Sequence, residues 1–441
     1  MSDQPTSAGG RFLRLAGMTA RIGGDMARGR LQRLWTSAEE QAVRDAERYA
    51  RIGADIARTL GGMKGAVMKV GQIVSQYRDM LPPELVDALS QLQNEAPARP
   101  FEDILPRLHE VFGPDLSVHF RHIEREAMAA ASLAQVHRAV TADGRDVVIK
   151  VQYPGVDAAI AADLRQLRTA FKLARVLPVT PALLDALFDE IRQSLEDELD
   201  YRKEADAVET FRAFHADDPD VVVPAVLPEL SGTRVLTLSH EPGDPLGRLP
   251  DSYSQADRDH LGQVLFRAIG RQLFGLGWLH CDPHPGNFAA RPDGRLVIYD
   301  FGCLKRVPSH IAACYRQLSR ASLTHDAALA EETLIAMGAR NLDAEAHLGE
   351  TFYSPWLELS RRIFAETRTD FAQTPFAEEV MQLSRQALPH WRAFLPVPDT
   401  VMINRMLGGH YWNLRQIGAQ TALGPLLREV MAQGADVGSG T

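Results

Sequence analysis

Two short polar motifs near the middle of the sequence carry residue types that handle phosphate groups. Asp282 and Asn287 lie five residues apart in the run His-Cys-Asp-Pro-His-Pro-Gly-Asn-Phe, and Asp300 begins an Asp-Phe-Gly triplet. In kinase catalytic loops, an aspartate accepts the proton of the attacking hydroxyl and an asparagine five residues later holds a magnesium ion. The aspartate of Asp-Phe-Gly also binds magnesium. The spacing therefore predicts phosphoryl-transfer chemistry on a Mg²⁺–nucleotide.

A hairpin between the two motifs would return the chain to the same phosphate site. Asp282 and Asp300 are 18 residues apart, and Asp293-Gly294 is the expected turn between strand candidates at 288–290 and 296–299. Aspartates beside proline or glycine often only cap or turn the chain. That alternative does not explain why two acids and an amide converge at the ends of adjoining strands, so we favour the magnesium–nucleotide interpretation.

A candidate phosphate-binding cation precedes these motifs. Lys150 lies in a strand candidate at 147–151, and kinases use a strand lysine of this kind to neutralise the inner phosphates of the nucleotide. The lysine is normally paired with a helix glutamate. One long acidic helix is predicted over 181–214, where Asp200 and Glu204 should share a face because they are four residues apart. Alone, such an acidic run is usually a solvated surface.

An alanine-rich loop stands where kinases have a glycine-rich phosphate loop. It begins at Ala129, Ala130, Ala131 and Ser132, and alanine restricts close backbone approach and positive φ. We expect it to hold a nucleotide in a narrow range of poses. Cys281 stands where kinases have the arginine of His-Arg-Asp, and that arginine binds an activation-loop phosphate. No Ala-Pro-Glu motif follows Asp-Phe-Gly. Phosphorylation of ordinary protein substrates is therefore disfavoured.

Composition and charge limit the remaining function classes. The net charge of -9 argues against nucleic-acid binding, which needs a concentrated basic surface. The three cysteines, Cys281, Cys303 and Cys314, lack metal-ligand spacing and fit a reducing, cytoplasmic setting. No run approaches the ~20 apolar residues of a membrane-spanning helix, and no signal-peptide core is present at the N-terminus.

The first 36 residues differ from the rest in charge. They hold six arginines and two aspartates, with apolar residues at helical spacing, and one interpretation is a segment that contacts an anionic membrane peripherally. Four glycines weaken such a helix. A frayed tail, or a helix packed on its own domain, is the favoured alternative, and the composition is also compatible with a mitochondrial presequence.

The pattern along the chain predicts an α+β, protein-kinase-like two-lobed fold with an N-terminal helical extension and a mostly helical C-lobe. Leu261–Leu279 is expected to be an apolar helix leading into the catalytic loop, and nearly everything after Ser309 is expected to be helical. The predicted divisions are a basic segment at 1–36, a helical extension at 37–125, an N-lobe at 126–240 and a C-lobe at 241–441.

Five motifs occur in order from about residue 60 to 310. They are Lys69-Val-Gly-Gln72 (KxGQ), Ala129–His137 (Ala-rich loop), Lys150–Gly155 (strand lysine), Glu198-Leu-Asp200 with Glu204 (ExD helix), and the Asp282, Asn287 and Asp300 set. In these motifs the chain resembles the UbiB family of atypical kinases, which are linked to ubiquinone and other isoprenoid-lipid metabolism. Two departures are Ala134, where many members have glycine, and a C-terminus without hydrophobic membrane spans.

This resemblance implies a blocked peptide site. In such proteins the KxGQ helix covers the place where a peptide substrate would bind. Lys69 and Gln72 would then act as a built-in plug, with Lys69 near Glu198 or Asp200. Such a plug would favour ATP binding and hydrolysis over protein phosphorylation.

The resemblance also implies roles in nucleotide binding. Lys150 would pair with Glu204 and with the phosphates, and Asp282 would act as a base or orient water. Asn287 and Asp300 would hold Mg²⁺. The expected nucleotide-contacting set comprises Ala129, Ala130, Ala131, Ser132, Lys150, Glu198, Asp200, Glu204 and His240, the last directly before the predicted inter-lobe linker.

The implied function is that of a Mg²⁺-ATP-binding ATPase supporting ubiquinone or related prenyl-lipid biosynthesis, in contact with a membrane, prenyl lipids or lipid-biosynthesis enzymes. One alternative is a small-molecule phosphotransferase of the aminoglycoside or choline kinase type, which shares Asp-x-His-Pro-Gly-Asn but lacks KxGQ and the Ala-rich loop. Another is a nucleotide-binding scaffold without turnover. The joint presence of Lys150, Asp282, Asn287 and Asp300 argues against the scaffold.

Overall fold

The computed structural model describes residues 98–130, 133–157, 181–345 and 347–433, with a few single positions between 47 and 172. The chain divides into two units. Unit 1 contains the described residues up to Asp206 and the segment Val226–His240, and unit 2 contains Ala207–Ala225 and everything from Glu241 onward. The predicted N-lobe thus contributes residues 207–225 to the second unit. Lys69, Gln72 and the basic segment 1–36 lie outside the described residues.

Helices and short strands alternate along the described chain, and each is labelled in chain order. The elements are α1 (Phe101–Phe112), β1 (Phe120–Ile123), β2 (Ala129–Ala130), β3 (Ala134–Thr141), β4 (Asp146–Gln152), α2 (Pro181–Glu198), α3 (Tyr201–Phe214), β5 (Val221–Val222), β6 (Val235–Ser239), β7 (Asp244–Pro245), α4 (Leu249–Ser252), α5 (Gln255–Arg271), β8 (Trp278–His280), β9 (Phe288–Ala290), β10 (Leu296–Ile298), β11 (Leu304–Arg306), α6 (Ser309–Thr324), α7 (Ala327–Ala336), α8 (Gly349–Ile363), β12 (Thr369–Asp370), α9 (Phe376–Ala387), α10 (Pro398–Gln416), β13 (Gln420–Thr421) and α11 (Leu423–Gln433).

Unit 1 is built on an antiparallel sheet in the order β1-β3-β4-β6, and β2 pairs with the first residues of β3. Strand alternation is clear in β4, where Val147, Ile149 and Val151 are buried. Successive side chains point to opposite faces of a strand, so Lys150 lies on the other face. A hairpin turn precedes β4, with Gly144 at φ +95°.

The helical prediction for 37–125 is wrong at its end. Phe120–Ile123 form β1, which pairs with β3 so that Phe120 lies opposite Thr141. The Phe120 side chain is buried and its ring packs edge-on against Phe112, with centroids 5.1 Å apart. This packing stabilises an extended conformation that the local sequence pattern did not indicate.

The prediction of one helix over 181–214 is also wrong, because the chain breaks between α2 and α3. Asp200 stands before the first residue of α3, and its carboxylate accepts the backbone N–H of Arg202 at 3.2 Å. An acidic side chain in this capping position ends one helix and starts the next. The expectation that Asp200 and Glu204 share a helix face is therefore incorrect.

Unit 2 combines a small sheet with many helices. The sheet has the order β5-β10-β9-β7, with β10 parallel to β5 and antiparallel to β9. Gly294, at φ +86°, makes the predicted turn between β9 and β10. The predicted mostly helical character of the C-terminal half is confirmed by helices α6 to α11.

The expected helix over 261–279 needs a correction at its C-terminal end. The α-helix α5 ends at Arg271, and a single π-helical turn follows at Gln272–Leu276. Gly277, at φ +70°, turns the chain into β8, which pairs with β11. Glycine adopts this left-handed conformation without strain, so it marks the point where the helix stops.

Among the helices in the described ranges, none has both the length and the apolar character needed to cross a bilayer.

Candidate active site

The strand lysine of unit 1 is held in an ion pair. The Lys150 Nζ atom lies 2.6 Å from Glu204 Oε1, and the two side chains are 18% and 9% exposed. Glu204 lies in the first turn of α3. Tyr201 is the first residue of α3, and the centroid of its ring lies 5.2 Å from Lys150 Nζ, close enough for a cation–π contact. The lysine is thus positioned by two groups on a single helix.

One backbone and one side-chain hydrogen bond fix the start of this helix within unit 1. Tyr201 donates its N–H to the carbonyl of Thr233 at 3.0 Å, and Gln152 Nε2 donates to the carbonyl of Leu199 at 2.7 Å. Desolvation makes a mostly buried ion pair stable only when its geometry is well defined. These contacts supply that geometry, and the structure brings Lys150 and Glu204 together as the resemblance implied. The nucleotide role of Lys150 stays a prediction.

The described part of the alanine-rich segment is a strand and not a loop. Ala129 and Ala130 form β2, in register with Val136 and Gln135 of β3. Their backbone groups are therefore engaged in a sheet ladder, which corrects the expectation of a loop at these two positions. Ala131 and Ser132 lie outside the described residues.

The remaining predicted nucleotide contacts of unit 1 have structural partners of their own. Glu198 is the half-buried last residue of α2. Asp200 bonds Arg202 at 2.8 Å, and that guanidinium lowers the pKa of Asp200. His240 follows β6, and its backbone N–H donates to the carbonyl of Asp146 at 3.1 Å. Nucleotide binding by these three acids and bases stays a prediction.

In unit 2, the candidate catalytic loop folds onto itself. Asn287 Nδ2 donates to Asp282 Oδ2 at 2.8 Å, and the backbone N–H of His284 reaches Asp282 Oδ1 at 3.4 Å. A 3₁₀ turn at Pro285–Asn287 closes the loop. Because the Asn287 amide nitrogen is used by Asp282, the amide oxygen is directed away from that carboxylate. Oxygen is the atom that a magnesium ion would require.

The β9–β10 hairpin returns Asp300 to this loop. Tyr299, immediately before Asp300, donates its N–H to the carbonyl of Asn287 at 3.0 Å. Asp300 Oδ1 accepts the N–H of Gly302 at 2.8 Å. The convergence predicted from the 18-residue spacing is therefore present in the backbone of unit 2.

A cluster of buried rings in edge-to-face contact packs next to the two candidate motifs. His280 donates from Nε2 to the carbonyl of Asp300. Its ring contacts Phe301 and Phe288 with centroids 5.6 and 5.3 Å apart, and Phe288 contacts His410 at 5.2 Å. Burial lowers the pKa of His280, and burial lowers the pKa of His410 to about 3. Both rings are therefore neutral at physiological pH, as packing against phenylalanine requires.

Helix α10 provides a support that the sequence did not reveal. A Cβ atom at Gly409 would lie only 2.1 Å from Pro283 Cγ, so the helix approaches the catalytic loop at a point where only glycine fits. Asn413, one turn later, donates from Nδ2 to the carbonyl of Pro283 at 2.9 Å. Pro283 and Asn413 are 130 residues apart in sequence. No local pattern could have connected them.

Cys281, which replaces the arginine of His-Arg-Asp, is buried in this region. Its N–H donates to the carbonyl of Cys303 at 2.9 Å, and burial raises the pKa of its thiol to about 12. A buried, neutral thiol cannot bind a phosphate on a neighbouring segment. That no activation-loop phosphate is read here stays a prediction.

The donor set suits a hard divalent cation. Asp300, Asn287 and Asp282 offer carboxylate and amide oxygens on adjoining loops, which is the ligand type that Mg²⁺ prefers. No group of three or more His, Cys, Asp or Glu residues able to hold a metal is found in the described ranges. A magnesium ion that takes its other ligands from phosphates and water needs only one or two carboxylates, so the residues present fit such an ion.

Comparison with known proteins gives related sequences and a related fold. The family model described as an ABC1 atypical kinase-like domain matches residues 91–334. "Atypical kinase coq-8, mitochondrial" of Caenorhabditis elegans is 28% identical over 85% of this chain and 50% of its own length. "Atypical kinase COQ8, mitochondrial" of Schizosaccharomyces pombe is 27% identical over 99% of this chain and 71% of its own length. The chain thus spans half the length of the worm relative.

A solved structure supports the fold. The complex of Rv3197 with erythromycin from Mycobacterium tuberculosis superposes with a TM-score of 0.64 at 24% identity, covering 90% of this chain and 100% of that one. The family match also extends past residue 310, where the last of the sequence motifs ends, to residue 334. The chain therefore belongs to the ABC1 atypical kinase-like proteins, the family to which the UbiB and COQ8 proteins belong, and it has their kinase-like α+β fold.

Proposed function

We propose that this protein binds Mg²⁺-ATP and hydrolyses it, in support of ubiquinone or related prenyl-lipid biosynthesis. The observation that carries the proposal is the β9–β10 hairpin of unit 2, which sets Asp300 beside Asn287 while Asn287 is bonded to Asp282. The names of the relatives, mitochondrial atypical kinases, support the general activity. The hydrolysis and the pathway are our inference.

Each candidate residue has a role that its chemistry suits. Lys150 would neutralise the inner phosphates, and Glu204 would keep its ammonium in position. Asn287 and Asp300 would hold magnesium through oxygen atoms, and Asp282 would accept a proton or orient the attacking water. Bound magnesium would neutralise charge that develops on the phosphate oxygens.

The plug implied by the family resemblance remains part of the proposal. Lys69 and Gln72 would occupy the position of a peptide substrate, so water would be the favoured acceptor. The prediction is that Lys69→Ala raises phosphorylation of a generic peptide relative to hydrolysis. Equal wild-type activity on a peptide and on water would contradict the plug.

An exposed apolar surface on unit 2 supports a peripheral membrane contact. Met381, Leu388, Trp391 and Leu395 are 57%, 64%, 65% and 46% exposed. Met381 in α9 and Leu388 just after it are seven residues apart, so they lie on one helical stripe. Leu388 and Trp391 are three residues apart in the 3₁₀ helix that follows α9, so they lie on the same side of that helix. Tryptophan and leucine in this setting are typical of the membrane interface.

The charge of this surface favours an anionic bilayer. The segment 380–398 contains no acidic residue in a chain of net charge -9, and it carries exposed Arg385 and Arg392. Each basic side chain near an anionic lipid surface contributes roughly 1 kcal/mol of attraction. We therefore propose that this face docks on anionic phospholipid.

A liposome flotation assay tests the membrane contact. Vesicles with anionic lipid should carry the full chain upward, and neutral vesicles should not. Replacing Leu388 and Trp391 by serine should reduce flotation several-fold, whereas Val118→Ser, at an apolar position in unit 1 that is 65% exposed, should not. Equal flotation of both variants would overturn this assignment.

Magnesium-dependent ATP turnover tests the central proposal. Asp300→Asn removes a charge from the candidate metal site and should abolish metal-dependent turnover. Asp293→Asn makes the same chemical change at the exposed turn of the same hairpin, so it should leave turnover unchanged. Failure of the wild-type chain to bind adenine nucleotide in the presence of Mg²⁺, measured by calorimetry, would refute the proposal.

The small-molecule phosphotransferase alternative is tested in the same assay. Aminoglycoside and choline acceptors should leave the rate of ADP formation unchanged. Phosphorylated acceptor, detected by mass spectrometry at a rate equal to ADP formation, would favour that alternative instead.

A further inference from the structure

Two of the three cysteines lie opposite each other across a strand pair beside the candidate site. In the β8–β11 ladder, His280 is in register with Leu304, and the next step joins the Cys281 N–H to the Cys303 carbonyl at 2.9 Å. Directly opposed residues in a hydrogen-bonded antiparallel pair have Cα atoms about 5.5 Å apart. Disulfides span Cα separations of roughly 4.4 to 6.8 Å. This register therefore gives the Cys281 and Cys303 Cα atoms a separation that a disulfide can span.

The position of this pair in the chain is specific. Cys281 immediately precedes Asp282, and Cys303 immediately follows Gly302 of the Asp-Phe-Gly triplet. A covalent bond between them would tie the catalytic loop to the segment that carries Asp300. Side chains of opposed residues project from the same face of a strand pair, so the two sulfurs lie on one face and can meet after a local adjustment.

We propose that Cys281 and Cys303 form a reversible dithiol–disulfide pair, oxidised by a peroxide, that locks these two segments together. The three cysteines are present as thiols in the structure. Cys303 is partly exposed and Cys281 is fully buried, so oxidation begins at Cys303. Nothing in the proposed ATP hydrolysis requires either sulfur.

The chemistry balances with one peroxide per pair. The Cys303 sulfur attacks hydrogen peroxide, the O–O bond breaks, and a sulfenic acid and one water form. The Cys281 sulfur then attacks the sulfenic sulfur, the S–O bond breaks, and a second water leaves as the S–S bond forms. Two thiols lose two electrons and two protons, and the peroxide gains both. A cellular dithiol reverses the reaction by thiol–disulfide exchange.

One adjustment accompanies the reaction. In the reduced structure, Cys281 Sγ is 3.4 Å from the carbonyl of Leu279, two residues back along β8. The sulfur must leave this carbonyl to reach Cys303, so the chain next to Asp282 shifts on oxidation. Displacements of about 1 Å in a reacting group can cost 10²-fold in rate. This expectation rests on the proposed ATPase function: oxidation should lower the rate of ATP turnover roughly tenfold.

The decisive experiment does not depend on activity. The full chain is treated with hydrogen peroxide, remaining thiols are alkylated, and peptides are mapped by mass spectrometry without reduction. A linked pair of peptides containing Cys281 and Cys303 is expected, with alkylated Cys314, buried in α6, as the internal control. Dithiothreitol should return both residues to the alkylatable form. Over-oxidation of Cys303 without a link, or a link through Cys314, would overturn the proposal.

Hydrogen exchange then reads the lock itself. The Cys281 amide and its neighbours in β8 and β11 should exchange several-fold more slowly in the oxidised chain, because the cross-link opposes separation of the strands. Cys303→Ser, treated identically, should show no slowing. Unchanged exchange in the linked wild-type chain would refute the lock.

The activity measurement separates this inference from the proposed function. A linked chain with reduced wild-type ATP turnover, restored by dithiothreitol, supports both. A linked chain with slowed exchange but no ATPase activity in either redox state refutes the ATPase proposal alone. An active chain that forms no link refutes the redox lock alone.

Discussion

The two units position their candidate functional groups in different ways. In unit 1, Lys150 lies on a regular strand, and its charge is matched by Glu204 at 2.6 Å. In unit 2, Asp282 and Asp300 lie on irregular loops, and amide and backbone N–H groups orient them. An ion pair neutralises a charge, whereas N–H donors orient a carboxylate and leave its charge in place. The second arrangement leaves negative charge that a divalent cation can bind.

Different parts of the sequence therefore encode the two arrangements. The unit 1 pair joins a sheet to the first turn of a helix, and the contacts that hold it are mainly backbone ladders and caps. The unit 2 loops depend on the cluster of buried rings and on close approach by α10 at Gly409. We expect the unit 1 pair to be sensitive to loss of charge and the unit 2 loops to be sensitive to changes in side-chain shape and in histidine protonation.

Among substitutions in unit 1, the largest effect is expected from separating Lys150 and Glu204. Lys150→Met removes the cation proposed to bind the phosphates and leaves the Glu204 carboxylate without its partner, so turnover should fall by about 10²–10³-fold. Glu204→Gln keeps the cation and a hydrogen-bond acceptor, so the loss should be smaller. ATP turnover and nucleotide affinity of both variants and of the double variant give the coupling between the side chains. Strict additivity would show that the pair does not act as a unit.

Acidification should destabilise unit 2. Burial lowers the pKa of His215 to about 4 and that of His410 to about 3, from 6.5 in the unfolded chain, and it also lowers the pKa of His280. A histidine kept neutral by folding contributes stability above its unfolded pKa, and that stability is lost as pH falls below 6.5 toward the folded value. The loss between pH 6.5 and 4 should be roughly 3 kcal/mol for His215 alone.

Hydrogen exchange at pH 7, 6 and 5 locates this effect. Amides around α10 and β9 should lose protection at a higher pH than amides of β3 and β4 in unit 1. The described residues of unit 1 include one histidine, His137, with a pKa lowered by burial. His410→Phe keeps a ring against Phe288 and removes the titrating group, so it should reduce the pH dependence. His347→Gln, at a side chain that is 79% exposed, serves as the control. Simultaneous loss in both units would contradict the comparison.

Sequence patterns anticipated the local features of both units. The β9–β10 turn at Gly294, the strand that carries Lys150 and the mostly helical C-terminal half all follow from residue types within a few positions of each other. Hairpin turns and strand alternation are short-range properties. The kinase-like fold followed from the order of the motifs.

Long-range contacts account for what the sequence could not show. The strand at Phe120–Ile123 exists because β3 pairs with it, and the helix break at Asp200 depends on a cap and on the sheet contacts of its neighbours. The support of Pro283 by Asn413 crosses 130 residues. Tyr201, which contacts Lys150, had one weak signal, since it lies three residues before Glu204 on the same helix.

A methyl group at one of two adjacent glycines tests the shape requirement of unit 2. Gly409→Ala would place a Cβ atom 2.1 Å from Pro283 Cγ, so either α10 or the catalytic loop must move. Overpacking of this kind typically costs about 1–3 kcal/mol. The midpoint of urea unfolding should fall, and ATP turnover should fall with it because Asp282 follows the displaced loop.

The neighbouring glycine provides the matched control. Gly408 is exposed on the same helix, and nothing lies within 4 Å of a Cβ atom added there. Gly408→Ala should therefore stabilise α10 by about 0.5–1 kcal/mol through helix propensity, without altering turnover. Equal effects of the two substitutions would show that α10 does not support the catalytic loop.

The smallest effect is expected at the cap between α2 and α3. Asp200→Ala removes the acceptor for the Arg202 N–H, which should cost about 1 kcal/mol of stability and loosen the first turn that carries Glu204. Asp200→Asn keeps a good capping acceptor and removes only the charge. If the cap is what matters, the asparagine variant retains stability and turnover while the alanine variant loses part of both. If Asp200 acts on the nucleotide through its charge, both variants lose turnover equally at unequal stability, and the structural role assigned to it here is wrong.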